Sequence, residues 1–414
     1  MKTKLIVLIL NLALIFSCTK NNEGLETVNV AKPQFMSLTA FRSSVKIEEP
    51  KSITESGKIY AFNNLVLVND VNEGIHIIDN SNPNSPKKIA FIKIIANKDM
   101  EIKDNYLYAD SLMDLLVFDI SDLNNIKEVS RLNDVFPTYI PMPFMDNLIL
   151  DYNTSGNVQN GVIVKWTITQ ELRSKEEINT IRNNTDMIFT MNMASAASTG
   201  QGGSLARFKI VNEYLYAVDS HNINIFNIQN LNAPSLSKTV FAGYDIETIF
   251  YNGNNLFLGS MSGMYVYNIE FPNNPQFISE FKHGTACDPV VVDEKYAYIT
   301  LRAGNNCGAF ESSLQIVDIS NIEKPFLVKS YAMVGPYGLG VKDEKLFICD
   351  GDDGLKVYDK TDISNLKLLN HFENINTYDV IPMENHLLMI GDKILYQYKY
   401  SNNGITLLSE FKLI

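Results

Sequence analysis

The stretch "DEKLFICDGDDGLKVYD", residues 343–359, decides the fold. "LFIC" and "LKVY" are short runs of apolar, β-branched and aromatic residues, the composition of strands. Between them lies a Gly/Asp turn, so the whole reads as a β-hairpin. The second strand ends at Asp359, a residue type whose side chain bonds the backbone two residues on, an Asx-turn.

Outward from this stretch the pattern repeats. "GIHIIDNSNPNSPKKIAFI" (74–92), "LLVFDISDLNNIKEVSRL" (115–132), "INIFNIQNLNAPSLSKTV" (223–240), "MYVYNIEFPNNPQFISEF" (264–281), "LQIVDISNIEKPFLVKSY" (314–331) and "LKVYDKTDISNLKLLNHF" (355–372) align with one another. Asp79, Asp119, Asn227, Asn268, Asp318 and Asp359 take one equivalent position. "GVIVKWTI" (161–168) and "KILYQYKY" (393–400) are weaker copies, which brings the series to eight. Adding one strand before each hairpin and one after each Asp or Asn gives four short strands per unit of about 40 residues. That is the pattern of an all-β protein built as a β-propeller. Eight four-stranded blades are expected over residues 51–414, with seven as the alternative because the third copy diverges and carries an insertion at about 171–203. The composition agrees, with 20 Tyr, 22 Phe and no long period-3.6 segment. The repeated Asp or Asn reads as a turn residue, not as a metal array. Pro83, Pro234, Pro275 and Pro325 in the following linkers suit the same turns.

The run "LQIVD", with its variants "GIHIID", "LLVFD" and "LKVYD", resembles the LVIVD repeat of bacterial and archaeal cell-surface proteins. The resemblance extends from roughly residue 45 to the C-terminus. It implies a β-propeller at the cell surface. It implies no reaction and brings no catalytic residues with it.

The N-terminus points to the same compartment. "MKTKLIVLILNLALIFSC" (1–18) has a basic start at Lys2 and Lys4, an apolar run from Leu5 to Ile15, and Ser17 directly before Cys18. This is the plan of a secretory signal over residues 1–17. The run is shorter than the roughly 20 residues a membrane-spanning helix needs. Cys18 is then expected to be a lipidated N-terminus, held in the membrane by its acyl chains. An ordinary secretory signal is the other reading. Residues 18–50 read as a flexible polar tether. Thr19, where some bacteria place a retention aspartate, favours the outer membrane of the cell envelope and leaves its side open. The net charge of −12 becomes −14 once Lys2 and Lys4 leave with the signal, which argues against nucleic acid as a partner.

In a propeller, each connection into a blade's first strand shares a face with the hairpin between its second and third strands. Cys287 precedes a first strand and Cys307 lies in the hairpin of the same unit, so both fall on one face. A structural disulfide between Cys287 and Cys307 fits an exported chain. It would close roughly 20 residues and stabilise by about 3 kcal/mol. A zinc site would need further Cys or His ligands, and only His283 is close in sequence. Cys349 reads as a buried free thiol.

The same face collects a candidate binding cluster: His283 and Asp288 before the strand, Arg302 across the hairpin, and Tyr337 entering the next unit. Aromatic and Arg side chains suit recognition, although Arg302 and Asp288 could equally pair to hold the loop. "CDGDDG" (349–354) offers Asp350, Asp352 and Asp353 as a weak calcium candidate, with a plain hairpin turn as the stronger reading. Met187, Met191 and Met193 are a remote soft-metal candidate in the insertion. No cofactor motif is present. The expectation is a non-catalytic binding or scaffold module for a protein or glycan. The alternatives are a purely structural envelope protein and a surface glycan hydrolase or lyase using carboxylates near the axis, such as Asp245, Glu247 or Asp379.

Overall fold

A computed structural model describes residues 25–138, 143, 145, 147–152, 161–181, 203–284, 289–303 and 311–414. Its residues divide into two compact units. Met1–Gln34, Pro143–Gly156 and Trp166–Met193 belong to the first, and Phe35–Met142, Asn157–Lys165 and Ala194–Ile414 to the second.

The second unit is a seven-bladed β-propeller. Blade 1 is built from Ser56–Phe62, Leu65–Asp70, Gly74–Asp79 and Lys87–Lys93, paired antiparallel in sequence order from the axis outward. Blades 2 to 7 follow over residues 100–132, 208–241, 246–282, 290–332, 339–372 and 377–412. In all seven, the pairing of third and fourth strands contains a β-bulge, which adds local twist. Gly74 and Gly354 open third strands at positive φ. A Cβ at either would lie about 2 Å from a carbonyl of the fourth strand, so the repeat needs glycine there.

The core lies between blades, because the middle strands are apolar on both faces. Leu67, Ile75 and Ile77 of blade 1 meet Leu107, Leu116 and Phe118 of blade 2. Equivalent clusters fill each later junction. At the last one Leu388, Ile390 and Leu395 of blade 7 pack on Ile59, Val66 and Val68 of blade 1, so the ring is closed. Full burial of each such side chain stabilises by roughly 1.5–3 kcal/mol.

Of the two blade counts the sequence allows, eight and its alternative seven, the ring has seven. The copy at 161–168 is not a blade but the start of a 14-residue strand, Gly161–Ser174, in a three-stranded sheet with Leu25–Ser37 and Leu148–Leu150. A middle blade strand is buried on both faces, whereas "WTITQELRS" (166–174) is half polar and mostly exposed. The tether reading also fails for Leu25–Ser37, which is a strand whose Val28 and Val30 alternate inward onto Ile149, Ile178 and Ile181. Lys46–Glu48 likewise adds a fifth strand to blade 1. In the first unit Lys32 pairs with Glu171 at 2.7 Å and Tyr152 stands edge-on to Trp166. Residues 1–24, including the signal segment and Cys18, lie outside the described residues. No helix among those described is long and apolar enough to cross a membrane.

Candidate functional site

Loops between blades and the hairpins joining second to third strands share one face of the ring, here the upper face. On the lower face, the repeated residue performs the expected turn. Asp79, Asp119, Asn227, Asn268, Asp318 and Asp359 each accept the backbone N–H two residues on, at 2.8–3.0 Å.

On the upper face, Arg302 and Tyr337 come together. The Arg302 guanidinium lies 3.9 Å from the centroid of the Tyr337 ring, within cation–π range. Tyr337 is fixed from both sides: its N–H donates to the Cys349 carbonyl at 2.7 Å, and its own carbonyl accepts from Thr300 Oγ1 at 2.6 Å. The edge of Tyr378 closes the cluster at 5.4 Å. His283 sits on the connection from blade 4 to blade 5, its backbone N–H bonded to Ser262 and its ring 6.4 Å from that of Phe281. Asp288, Cys287 and Cys307 lie outside the described residues, as do Met187, Met191 and Met193.

Cys349 is a buried free thiol, as expected, and burial raises its pKa well above the usual range. The calcium candidate has a different occupant. Asp350 is buried, accepts the backbone N–H groups of Val334 and Gly335, and bonds Lys356 Nζ at 2.5 Å. The same ammonium reaches Asp353 at 2.5 Å, so a lysine stands where the cation would sit. Among the described residues, no group of three or more His, Cys, Asp or Glu side chains could hold a metal ion.

Sequence reasoning did not foresee how the axis is filled. The short 3₁₀ turn Gly203–Leu205 packs against the innermost strands of blades 1, 4, 5, 6 and 7. Ser204 donates from its N–H and its hydroxyl to Asp379 Oδ1 at 3.2 and 3.3 Å, and its Oγ accepts from Leu339 N at 3.0 Å. Asp379, one of the three axial acids, is therefore buried beneath this turn. Burial raises its carboxyl to about 7, against the bonds from Val380 and Ser204. Its Oδ2 has no hydrogen-bond partner among the described residues. Asp245 has positive φ, and its carbonyl accepts from Met261 N. Glu247 is half-buried on the first strand of blade 4.

A second axial carboxylate was also missed. Asp99 is buried, pairs with Lys58 Nζ, and accepts the backbone N–H groups of Met100, Arg207 and Phe208. The available signal was Lys58, a charge set in the otherwise apolar strand "SGKIYAF" (56–62).

The LVIVD repeat matches residues 56–90, 96–134 and 283–333, covering blades 1 and 2 and the segment that contains blade 5. The chain carries LVIVD repeats. No curated protein sequence matches it. Among solved structures, this LVIVD-repeat propeller is similar to the computationally designed Ika8 protein, with 10% identity over 88% of this chain and 90% of that one and a TM-score of 0.52. It is also similar to Saccharomyces cerevisiae Sqt1, with 8% identity over 91% and 87% of the two chains and a TM-score of 0.50. The Pseudomonas aeruginosa periplasmic gluconolactonase PpgL has 8% identity, coverage of 87% and 96%, and a TM-score of 0.52. At such identities the likeness concerns the fold alone.

Proposed function

We propose that this propeller is lipid-anchored through Cys18 in the cell envelope, at the outer membrane, and works as a non-catalytic binding module through its upper face. The observation that carries the reading is the Arg302–Tyr337 stack. An arginine held against a tyrosine whose backbone is bonded on both sides is a preorganised recognition group. The propeller ring supplies the rigid support. Asp99 and Asp379 act as internal braces, for the Lys58 pair and for the Ser204 turn, which favours binding over catalysis at the axis.

One feature favours an enzyme instead. A carboxyl raised to about 7, with one oxygen lacking a donor among the described residues, has the character of a general acid. Against this, Asp379 is fully buried, so a substrate would reach it only if the Ser204 turn moved aside.

The test is cross-linking on intact cells, comparing the wild-type protein with a variant carrying Arg302→Ala and Tyr337→Ala. Capture of a defined partner by the wild type and its loss in the variant are expected. Equal capture by both would remove the upper-face site. Membrane fractionation of Cys18→Ser tests the anchor, with release into the soluble fraction expected.

A further inference from the structure

The fourth strand of every blade lies at the rim of the ring. An open strand edge offers a row of unpaired N–H and C=O groups to any other chain, and folded proteins block such edges with charged residues or cover them. This repeat blocks them at one position. In blade 1, Lys87 opens the outer strand and pairs with Asp79. Its equivalents in blades 2, 3, 4, 6 and 7 are Lys127, Ser235, Gln276, Lys367 and Thr406, each polar and exposed. In blade 5 the position holds Phe326, and it is 58% exposed. Leu327 and Val328 follow it, also exposed. Leu327 pairs with Val317 and Phe326 with Asp318, so the two side chains point to opposite faces of the blade.

Blade 1 shows what an outer edge of this ring holds. Lys46–Glu48 pairs antiparallel along it, Lys46 beside Lys93, Ile47 beside Ile92 and Glu48 beside Phe91. The same segment continues down the edge. The Lys51 carbonyl accepts from Lys88 Nζ at 2.9 Å, and the Lys51 ammonium lies 3.9 Å from the centroid of the Phe91 ring. Beneath this cover Ala90, Phe91 and Ile92 are buried. The outer strand of blade 5, Phe326–Ala332, has the same length and the same bulge. Among the described residues no strand pairs with its outer side. Lys329 and Ser330, which stand where Ala90 and Phe91 stand in blade 1, are exposed. This edge has neither the polar first residue nor the cover.

We infer that the outer edge of blade 5 is a strand-addition site for an extended segment of a partner protein, one that alternates apolar residues with an acidic one. Backbone hydrogen bonds to the open edge hold the segment, as they hold Lys46–Glu48 on blade 1. Its apolar side chains cover Phe326 on one face and Leu327 on the other. Its carboxylate meets Lys329, whose ammonium stands 5.7 Å from the centroid of the Tyr331 ring. Three apolar side chains on one strand fall well short of the roughly 800 Å² per partner that a stable interface between folded proteins buries. A short extended segment is therefore the occupant that fits, and a second copy of this chain is not. Phe326 begins at the lower end of its strand, whereas Arg302 and Tyr337 lie on the upper face, so the two sites are separate.

The experiment pans a library of random dodecapeptides on the full-length protein in detergent, with Phe326→Lys as the counter-target. That substitution restores the first residue of blades 1, 2 and 6 at an exposed position, and thermal melting confirms that the variant is folded. Recovered peptides are expected to alternate apolar residues with at least one Asp or Glu. By fluorescence anisotropy they should bind Phe326→Lys and Lys329→Glu about tenfold or more weakly than wild type, and Arg302→Ala as well as wild type. A proline in the middle of a recovered peptide removes a ladder donor and should abolish binding. Failure to recover any peptide that separates wild type from Phe326→Lys would overturn the site. Tolerance of the proline would overturn strand addition, and basic peptides would overturn the stated chemistry. Loss through Arg302→Ala would move the peptides to the upper face. Sedimentation velocity covers the remaining occupant: a wild-type dimer that Phe326→Lys dissociates would give the edge to a second copy and overturn the inference.

Discussion

Asp379 is held away from water with one carboxylate oxygen bonded to Ser204 and the other without a donor among the described residues. Its folded pKa of about 7 stands above the ordinary 3.8 because burial penalises the anion. The sign follows from linkage: the folded state retains the proton that the unfolded chain has already released. Stability from this group is full below about pH 4 and falls as pH rises, reaching its loss near pH 7, on the order of 4 kcal/mol. Asp379→Asn removes the titration. The melting temperature of the variant relative to wild type should therefore rise between pH 5 and pH 8, and a constant difference would show that the carboxyl is not perturbed. The partner, Ser204, is 175 positions away, which is why the strand "TYDVIP" (377–382) alone did not announce this environment. Asp359 was legible for the opposite reason, since its hydrogen bond reaches only two residues along the chain.

Between blades, side-chain hydroxyls act as latches onto the lower-face turns of the next blade. Tyr108 Oη donates to the Leu231 carbonyl at 2.7 Å, Tyr216 Oη to that of Pro272 at 3.0 Å, and Tyr331 Oη to that of Ile363 at 2.7 Å. Tyr216→Phe keeps the ring packed and removes only the bond. A loss of about 1 kcal/mol is expected, seen as a lower urea midpoint with unchanged slope. An unchanged midpoint would mean that water serves the Pro272 carbonyl equally well. The blade strands themselves were readable because two-sided burial leaves continuous apolar runs such as "LLVFD" and "LQIVD". Gly161–Ser174 misled because its first residues, "GVIV", share that composition. What separates it from a blade is the polar stretch that follows and the strands it pairs with, Leu25–Ser37 and Leu148–Leu150, and neither partner resembles the repeat. On the upper face, Arg302 and Tyr337 could be paired from sequence because the loop order of a propeller is regular.

Each blade is made from one continuous segment, so among the described residues no strand is exchanged between the ends of the ring. Closure depends on the contact of blade 7 with blade 1. Beyond the apolar cluster, Ile53 N bonds the Leu413 carbonyl at 2.9 Å. The central polar device is a reciprocal amide pair: Asn80 Nδ2 donates to Gln397 Oε1 at 3.1 Å, and Gln397 Nε2 donates to Asn80 Oδ1 at 2.7 Å. Gln397 Nε2 also reaches the Pro83 carbonyl at 3.0 Å. Both side chains are buried, so removing either leaves an amide without its partner, at a cost of about 1–3 kcal/mol. Gln397→Ala should be the more damaging single change because it also removes one of the two donors to the Pro83 carbonyl, leaving only Ser409 Oγ. With both replaced by alanine no orphan amide remains, and the double variant should lose less than the two single losses combined. Urea unfolding of the four proteins measures this. Simple additivity would mean that water replaces the missing partner in each single variant, and that the apolar cluster alone closes the ring.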